Sequence, residues 1–496
     1  MKRFCVLSIT MLLLCALIAP AALAGQAAQA IEFTNYSGGE TIRYPVPLIR
    51  GTLANKSLTS VEVINGSSKR DTARMKCLAL DGRFRALTEL VPGKNRIVIK
   101  AGNDSRTLEL TYQPQTNPYI VRVVFAADPT GDTTYQTPIK DDPQNYADKL
   151  GTMMILMQAF TAESMNDLGM GRVTFNLEYD EKGKVKVHVI RCDKPAAEIC
   201  AIVGRGSLYG YFNGQLNKQL PGPKAKNVML PAFSRFNPQT KHNTAYTALG
   251  GGNLALFGGS NLYCYPNSLT DVQRAFMDAT AIDTANYSSD SVGRHTYWAN
   301  ASTCIGNTLH ELGHTFGLPH ARDGRDIMRR GGDWFSRFWV LEEAPARGGT
   351  GPVKFDEMHV AEWTLASAAF LRATPWFALD DHAYPKEEHI AAKLGDKPGE
   401  IIVTSSDGLG GVCLGAPGSM ATAVPMEWLK PAPHEVVVDT KKYETALEGP
   451  KGWLRIIDVN GHVKNIYVKD LIPGWGASAT QPASATQPAS GQAKTK

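Results

Sequence analysis

The sequence predicts a multidomain α+β protein, and three observations carry that prediction. The chain has 496 residues, which at roughly 100 to 200 residues per domain allows two to four domains. Residues 31–114 and 395–473 read as short strands set closely between turns, whereas 118–377 mixes strands with longer helical patterns. With 43% hydrophobic and 20% charged residues the chain is not disordered throughout, and 46 Gly and 29 Pro without a three-residue period exclude collagen.

The amino terminus reads as a secretory signal over residues 1–24. Lys2 and Arg3 form its positive end, Val6 to Ile18 are almost wholly apolar, and Ala22-Leu23-Ala24 offers small residues for cleavage. The rival reading is a membrane anchor, but the apolar run is short of the span of about 20 residues that a bilayer needs. A lipid-modified Cys15 is a further alternative, against which Leu14 stands where a small residue is wanted. No later apolar stretch is long enough to span, so the mature chain is expected to be secreted, periplasmic or held at the cell surface. Its charge, 52 − 47 = +5 with the signal and about +3 without Lys2 and Arg3, includes no run of five or six like charges. Nucleic acid is therefore not an expected partner.

Between Ile31 and Pro114, turn pairs such as Asn65-Gly66, Asp81-Gly82 and Pro92-Gly93 separate strands at Leu48–Arg50, Val61–Ile64 and Ile97–Ile99. This pattern predicts a small antiparallel sandwich able to fold without the rest. Its service as a spacer or as a binding module is left open. From Pro118 the texture changes. Tyr119–Phe125 is an apolar strand, and Leu150, Met153, Met154, Met157, Phe160 and Met165 recur at helical spacing between Asn145 and Leu168, which predicts one buried helix face. A methionine stripe can line a ligand groove, but core packing is the simpler reading. Further strands are expected at 172–177, 185–190 and 227–233, an irregular edge strand over Ala255–Tyr265 and a helix over Phe355–Leu371. Strands at 401–404, 435–438, 454–459 and 466–468 predict a third, β-rich domain. The Ala-Ser-Ala-Thr-Gln-Pro repeats within 477–496 are too polar to fold and are expected to be disordered.

Six cysteines remain after the signal: Cys77, Cys192, Cys200, Cys264, Cys304 and Cys413. In an exported chain an even count favours disulfides. Cys192 with Cys200 and Cys264 with Cys304 are the first pairs to expect, although fifteen connectivities exist for six cysteines. A Cys192 thiolate masking a metal is the alternative for that residue.

The segment Thr308 to His320 carries the chemistry. On a helix, His310 and His314 are one turn apart and project from one face, so both imidazoles can reach one ion. Glu311 stands beside the first, where its carboxylate can hold and deprotonate a metal-bound water. Gly317 can take the positive φ that ends a helix and lets the chain bring His320 to the same point. Three neutral imidazoles leave tetrahedral Zn²⁺ one open position.

The His310-Glu311-x-x-His314-x-x-Gly317-x-x-His320 pattern resembles that of the metzincin zinc peptidases, in which a tight turn with a methionine lies beneath the metal. The resemblance implies that His310, His314 and His320 bind zinc, that Glu311 is general base and later proton donor, and that Met328 of Asp326-Ile327-Met328 forms the floor. It also implies an extended peptide along an edge strand, for which Ala255–Tyr265 is the expected region. Residues 308–332 are similar as well to a little-characterised metallopeptidase group of fungi and bacteria. Residues 81–99 resemble the immunoglobulin-like modules that bacteria append to secreted enzymes. Ala321 follows the third histidine where several metzincins have an acid, and no tyrosine follows Met328 closely, so the oxyanion partner is unassigned.

The expectation is a secreted zinc endopeptidase acting on a protein or peptide, with surface or matrix contact through the β domains. The competing expectation is a surface protein binding carbohydrate or protein, with a vestigial metal site. Retention of Glu311 beside the three histidines favours the enzyme. Nothing in the sequence speaks for or against a non-peptide amide or ester as substrate.

Overall fold

The computed structural model describes residues 30–355, 359–426 and 431–475. The expected signal (1–24) and tail (477–496) lie outside these residues. No helix among the described residues is long and apolar enough to cross a membrane.

Eight strands build the amino-terminal unit: β1 (Ile31–Phe33), β2 (Thr41–Ile42), β3 (Leu48–Leu53), β4 (Ser60–Asn65), β5 (Arg74–Leu80), β6 (Arg83–Leu87), β7 (Gly93–Ala101) and β8 (Asp104–Tyr112). They run β1-β3-β6-β5-β4-β7-β8-β2. Strand β5 serves two layers, because Arg74–Leu78 pairs with β4 while Ala79 and Leu80 pair with β6. The β5–β6 hairpin closes on Asp81 and Gly82, both at positive φ, which is the turn whose twist matches that of the strands. Alternate residues of β7 (Asn95, Ile97, Ile99, Ala101) face inward.

The middle of the chain contains β9 (Ile120–Ala127), α1 (Tyr146–Asp167), β10 (Asn176–Leu177), β11 (Val187–Arg191), α2 (Ala196–Cys200), α3 (Arg205–Gln219), β12 (Ala225–Pro231), β13 (Arg235–Asn237), β14 (His242–Thr244), β15 (Leu249–Gly251), β16 (Leu254–Leu256), α4 (Val272–Ala275), α5 (Tyr297–Thr315), β17 (His320–Ala321) and α6 (Leu365–Ala373). Strands β10-β9-β12-β16-β15 form one sheet, with β11 also on β9, and only β15 is antiparallel to its neighbour. Val123 to Ala127 of β9 are all buried, as a strand covered on both faces requires. The α1 methionines pack into the core, and Phe160 meets the Phe335, Phe338 and Trp363 rings.

Two expectations change here. Ala255 lies inside the sheet, because β16 pairs with β12 on one side and β15 on the other, and Gly259–Cys264 is a buried 3-10 helix. A two-residue turn at Gly252-Asn253 folds β15 back over β16, so the edge strand is Leu249–Gly251. The expected helix over 355–371 begins only at Leu365: Thr364 is extended, and its amide donates to Asp326 at 2.9 Å. Residues 356–358 lie outside the description.

The carboxyl-terminal part has β18 (Ile390–Leu394), β19 (Glu400–Ser405), β20 (Leu409–Ala416), β21 (Ser419–Ala423), β22 (Glu435–Asp439), α7 (Glu444–Leu447), β23 (Trp453–Asp458), β24 (Val463–Tyr467) and α8 (Val468–Leu471). Strands β18-β19-β22 form one sheet, and β17-β21-β20-β23-β24 form another. Strand β17, which begins at His320, is thus an edge of the carboxyl-terminal sheet.

All six described cysteines are free thiols, so neither expected bridge is formed. The Asn300 amide stands between the second pair: its Nδ2 donates to Cys264 Sγ at 3.2 Å, and Cys304 Sγ donates to its Oδ1 at 3.8 Å. Cys192 is buried against Ile199 and its neighbours, while Cys200 lies at the half-buried end of α2. Burial pushes the Cys192 thiol up to about 11 and the Cys264 thiol up to about 12, so both stay protonated. A Cys192 thiolate is accordingly not what the structure contains.

Candidate metal centre

Helix α5 is buried along most of its length and presents His310 and His314 one turn apart on its more open face. It ends in a Schellman motif: the Gly317 amide donates to His314 O at 3.0 Å and the Leu318 amide to Gly313 O at 3.1 Å, with Gly317 at φ +95°. The chain turns sharply there and returns His320 to the helix. The ring centroids of His310, His314 and His320 are 4.8, 4.9 and 5.3 Å apart, and one nitrogen from each ring lies within 4.8 Å of the others.

The same turns orient two of the rings. His310 Nδ1 donates to Ile327 O at 2.7 Å, and His314 Nδ1 donates to Leu318 O at 2.8 Å. A carbonyl only accepts, so Nδ1 carries the proton in each ring and Nε2 keeps its lone pair. Burial, followed by the neighbouring His314, pulls the His310 pKa down to about 4, and burial lowers that of His314 as well. Neutral imidazoles with fixed tautomers are the form in which histidine binds a metal, and the donor set fits zinc.

Met328 is fully buried beneath the helix, where a Cβ on Gly313 would come within 2.3 Å of its sulfur. Its turn is held by Asp326, whose buried carboxylate accepts the Met328 amide at 2.6 Å and the Ser367 hydroxyl at 2.7 Å. Burial nonetheless raises the Asp326 pKa. Glu311 is 7% exposed. Burial raises its carboxyl to about 7 against the opposing pull of Arg205 and of a hydrogen bond from the Gly250 amide.

The structure thus brings His310, Glu311, His314, Gly317, His320 and Met328 together. Sequence reasoning missed the groups that reach Glu311 from elsewhere. Gly250 belongs to the edge strand β15. Arg205, at the start of α3, donates to the Thr247 hydroxyl at 3.3 Å and also to Ala248 O, and Tyr209 donates to Gly251 O at 2.7 Å. Their only sequence signal is a glycine-rich texture, which assigns no role.

The fold and the donor set define a mixed α/β protein with a three-imidazole cluster, suited to a metal, beside a buried carboxylate. The chain belongs to the family described as "Putative peptidase family", which matches residues 30–406. A Schizosaccharomyces pombe protein named "Putative zinc metalloproteinase" is 29% identical over 336 residues, covering 63% of this chain and 54% of that protein. A Saccharomyces cerevisiae protein of the same designation is 28% identical over 363 residues, covering 64% and 50%. The chain therefore spans about half the length of the curated relatives it matches. Among solved structures, catalytically inactive OgpA from Akkermansia muciniphila, in complex with an O-glycopeptide substrate, aligns with a TM-score of 0.44 at 16% identity over 71% of this chain and 92% of that one.

Proposed function

We propose that the protein is an exported zinc endopeptidase of the metzincin type, in which His310, His314 and His320 hold the ion and Glu311 is the general base. The observation that carries this reading is the convergence of three imidazoles beside a buried carboxylate that itself touches the sheet edge. When bound, zinc would supply Lewis acidity to a water and to the scissile carbonyl. Glu311 accepts the water's proton and returns it to the departing amine. Strand β15 offers the substrate an edge on which to lie extended. Arg205 and Tyr209, both electrostatically coupled to Glu311, are the candidates for the oxyanion partner that the motif leaves unassigned. Met328 supplies the apolar floor.

Export rests on Lys2, Arg3 and the apolar run before Ala24. The amino-terminal strands, antiparallel except where β2 pairs with β8, are the immunoglobulin-like module of this reading, and with the carboxyl-terminal sheets they are the surfaces for matrix contact. On this reading the chain divides into domains at 31–114, 118–377 and 395–473.

Glu311→Gln tests the mechanism. It keeps the side chain's size and the three imidazoles, so zinc content should stay at one equivalent by elemental analysis. Hydrolysis of a sensitive peptide should fall by at least about 100-fold, the lower range of general acid–base assistance. Parent-like turnover would mean that another group is the base, and loss of hydrolysis together with loss of zinc would assign Glu311 a structural role.

A further inference from the structure

The three imidazoles are not equally supported. His310 and His314 each donate through Nδ1 to a backbone carbonyl, whereas His320, the most exposed of the three, has no hydrogen-bond partner among the described residues. Metal-binding histidines almost always donate their second ring N–H to a fixed acceptor, which sets tautomer and ring orientation.

An acceptor stands opposite. Strand β17 pairs in parallel with β21, placing His320 against Ser419 and Ala321 against Met420, and the Arg322 amide donates to Met420 O at 3.0 Å. Partners across such a ladder are about 5 Å apart, with their side chains on one face. The Ser419 hydroxyl oxygen is buried and has no partner. A buried hydroxyl without a partner and an exposed imidazole with no acceptor among the described residues thus belong to register-paired residues of neighbouring strands. Strand β21 is itself held firmly. Met420 is buried in the core, and β20 approaches so closely that a Cβ on Gly415 would stand 2.1 Å from Ser419 O. Arg322 ties the other side, donating to Thr445 O at 3.0 Å and pairing with Glu448 at 2.5 Å.

We propose that Ser419 is the positioning residue for the third imidazole, its hydroxyl accepting the free ring N–H of His320, so that the carboxyl-terminal sheet completes the metal centre. This rests on the reading that the three imidazoles hold zinc. Ser419 lies beyond the residues 30–406 that match the family, so part of the centre's support is supplied by chain outside that match.

The test is zinc affinity, read by competition with a chromophoric chelator on the full chain and its variants. Ser419→Ala should weaken zinc about 10- to 100-fold, the range for removing such an orienting partner, while Ser419→Thr, which keeps the hydroxyl, should bind close to the parent. The melting temperature of metal-free Ser419→Ala should match that of the metal-free parent. In a His320→Ala background, Ser419→Ala should cost nothing further, because the two act as a unit. Parent affinity in Ser419→Ala, or an equal loss in both backgrounds, overturns the positioning role and leaves the imidazole reading intact. Parent affinity in His320→Ala overturns the imidazole reading and the role of Ser419 with it.

Discussion

At Gly250 the edge strand meets the backbone of the motif helix. A Cβ there would stand 2.0 Å from Glu311 O and 2.9 Å from Glu311 Cα, and neither atom can move without moving α5. The same device recurs at Gly306, where a Cβ would meet Gly332 Cα at 2.4 Å. Gly250→Ala should therefore destabilise the protein by about 1–3 kcal/mol, the usual cost of overpacking, and should lower hydrolysis by withdrawing the amide that holds Glu311. Urea unfolding monitored by circular dichroism measures the first effect; an unchanged midpoint and slope would mean that β15 shifts freely. The motif residues were legible in the sequence because their geometry is local. A spacing of four fixes two rings on one helix face, and a glycine fixes the turn that returns the third. Gly250, Arg205 and Ser419 were not legible, since each reaches the centre through sheet pairing or helix packing rather than through spacing.

Among the elements, a cluster of charges gathers beside β9, β10 and β11. Glu178, just past β10, accepts Arg122 Nε at 2.9 Å, Lys186 Nζ at 2.9 Å and His188 Nε2 at 3.0 Å. Burial would raise its carboxyl, but Lys186 and His188 outweigh that and hold it below the ordinary value of 4.5. A carboxyl with a depressed folded pKa adds stability above its unfolded pKa and loses it as the pH falls through the folded one. Glu178→Gln should thus lower the melting temperature by about 1 °C at pH 7, which corresponds to about 1 kcal/mol in a chain of this length, since the unfolding entropy is about 2 cal/mol/K per residue. The difference from the parent should shrink as the pH falls below 4.5; a deficit that stays constant down to pH 3 would show that the side chain acts through packing alone. Helix α1 was legible to within a residue, because an apolar period sustained over six turns has no other solution. The edge of the sheet was not, because three-residue strands such as β15 and β16 carry no period and only pairing says which lies outermost.

For the whole molecule, the amino-terminal sandwich and the central fold share one hydrophobic cluster, from Ile31 through Phe160 to Ile457. Polar contacts reinforce it. Tyr44 donates to the fully buried Glu163 of α1 at 2.6 Å, Tyr36 donates to the same carboxylate, and Gln273 Nε2 donates to Arg85 O at 2.9 Å. Burial, joined by the charge of Glu163, drives both tyrosine hydroxyls far above their ordinary pKa, so they act as donors at any physiological pH. The fragment 31–114, expanded to 30–116 to keep its strand ends, should consequently melt well below the full chain or show no cooperative transition, because Tyr36, Tyr44 and Arg85 would be left with unmet or solvent-exposed partners. Differential scanning calorimetry of the fragment decides this, and a cooperative transition near that of the full chain would restore the sandwich as a self-sufficient unit.

By itself the sequence determined the three-part succession of strands, mixed elements and strands, the long buried helix, and the six residues that meet at the centre, all of which follow from periods and turns within a few residues of one another. Only the tertiary structure decided that β15 forms the sheet edge, that six cysteines stay reduced, and that His320 begins a strand of the carboxyl-terminal sheet opposite Ser419, about 100 residues away in sequence. The physical reason is the same in each case. Pairing between distant strands, and burial of a thiol or hydroxyl among them, depend on the free energy of the whole packed core, which no local spacing records.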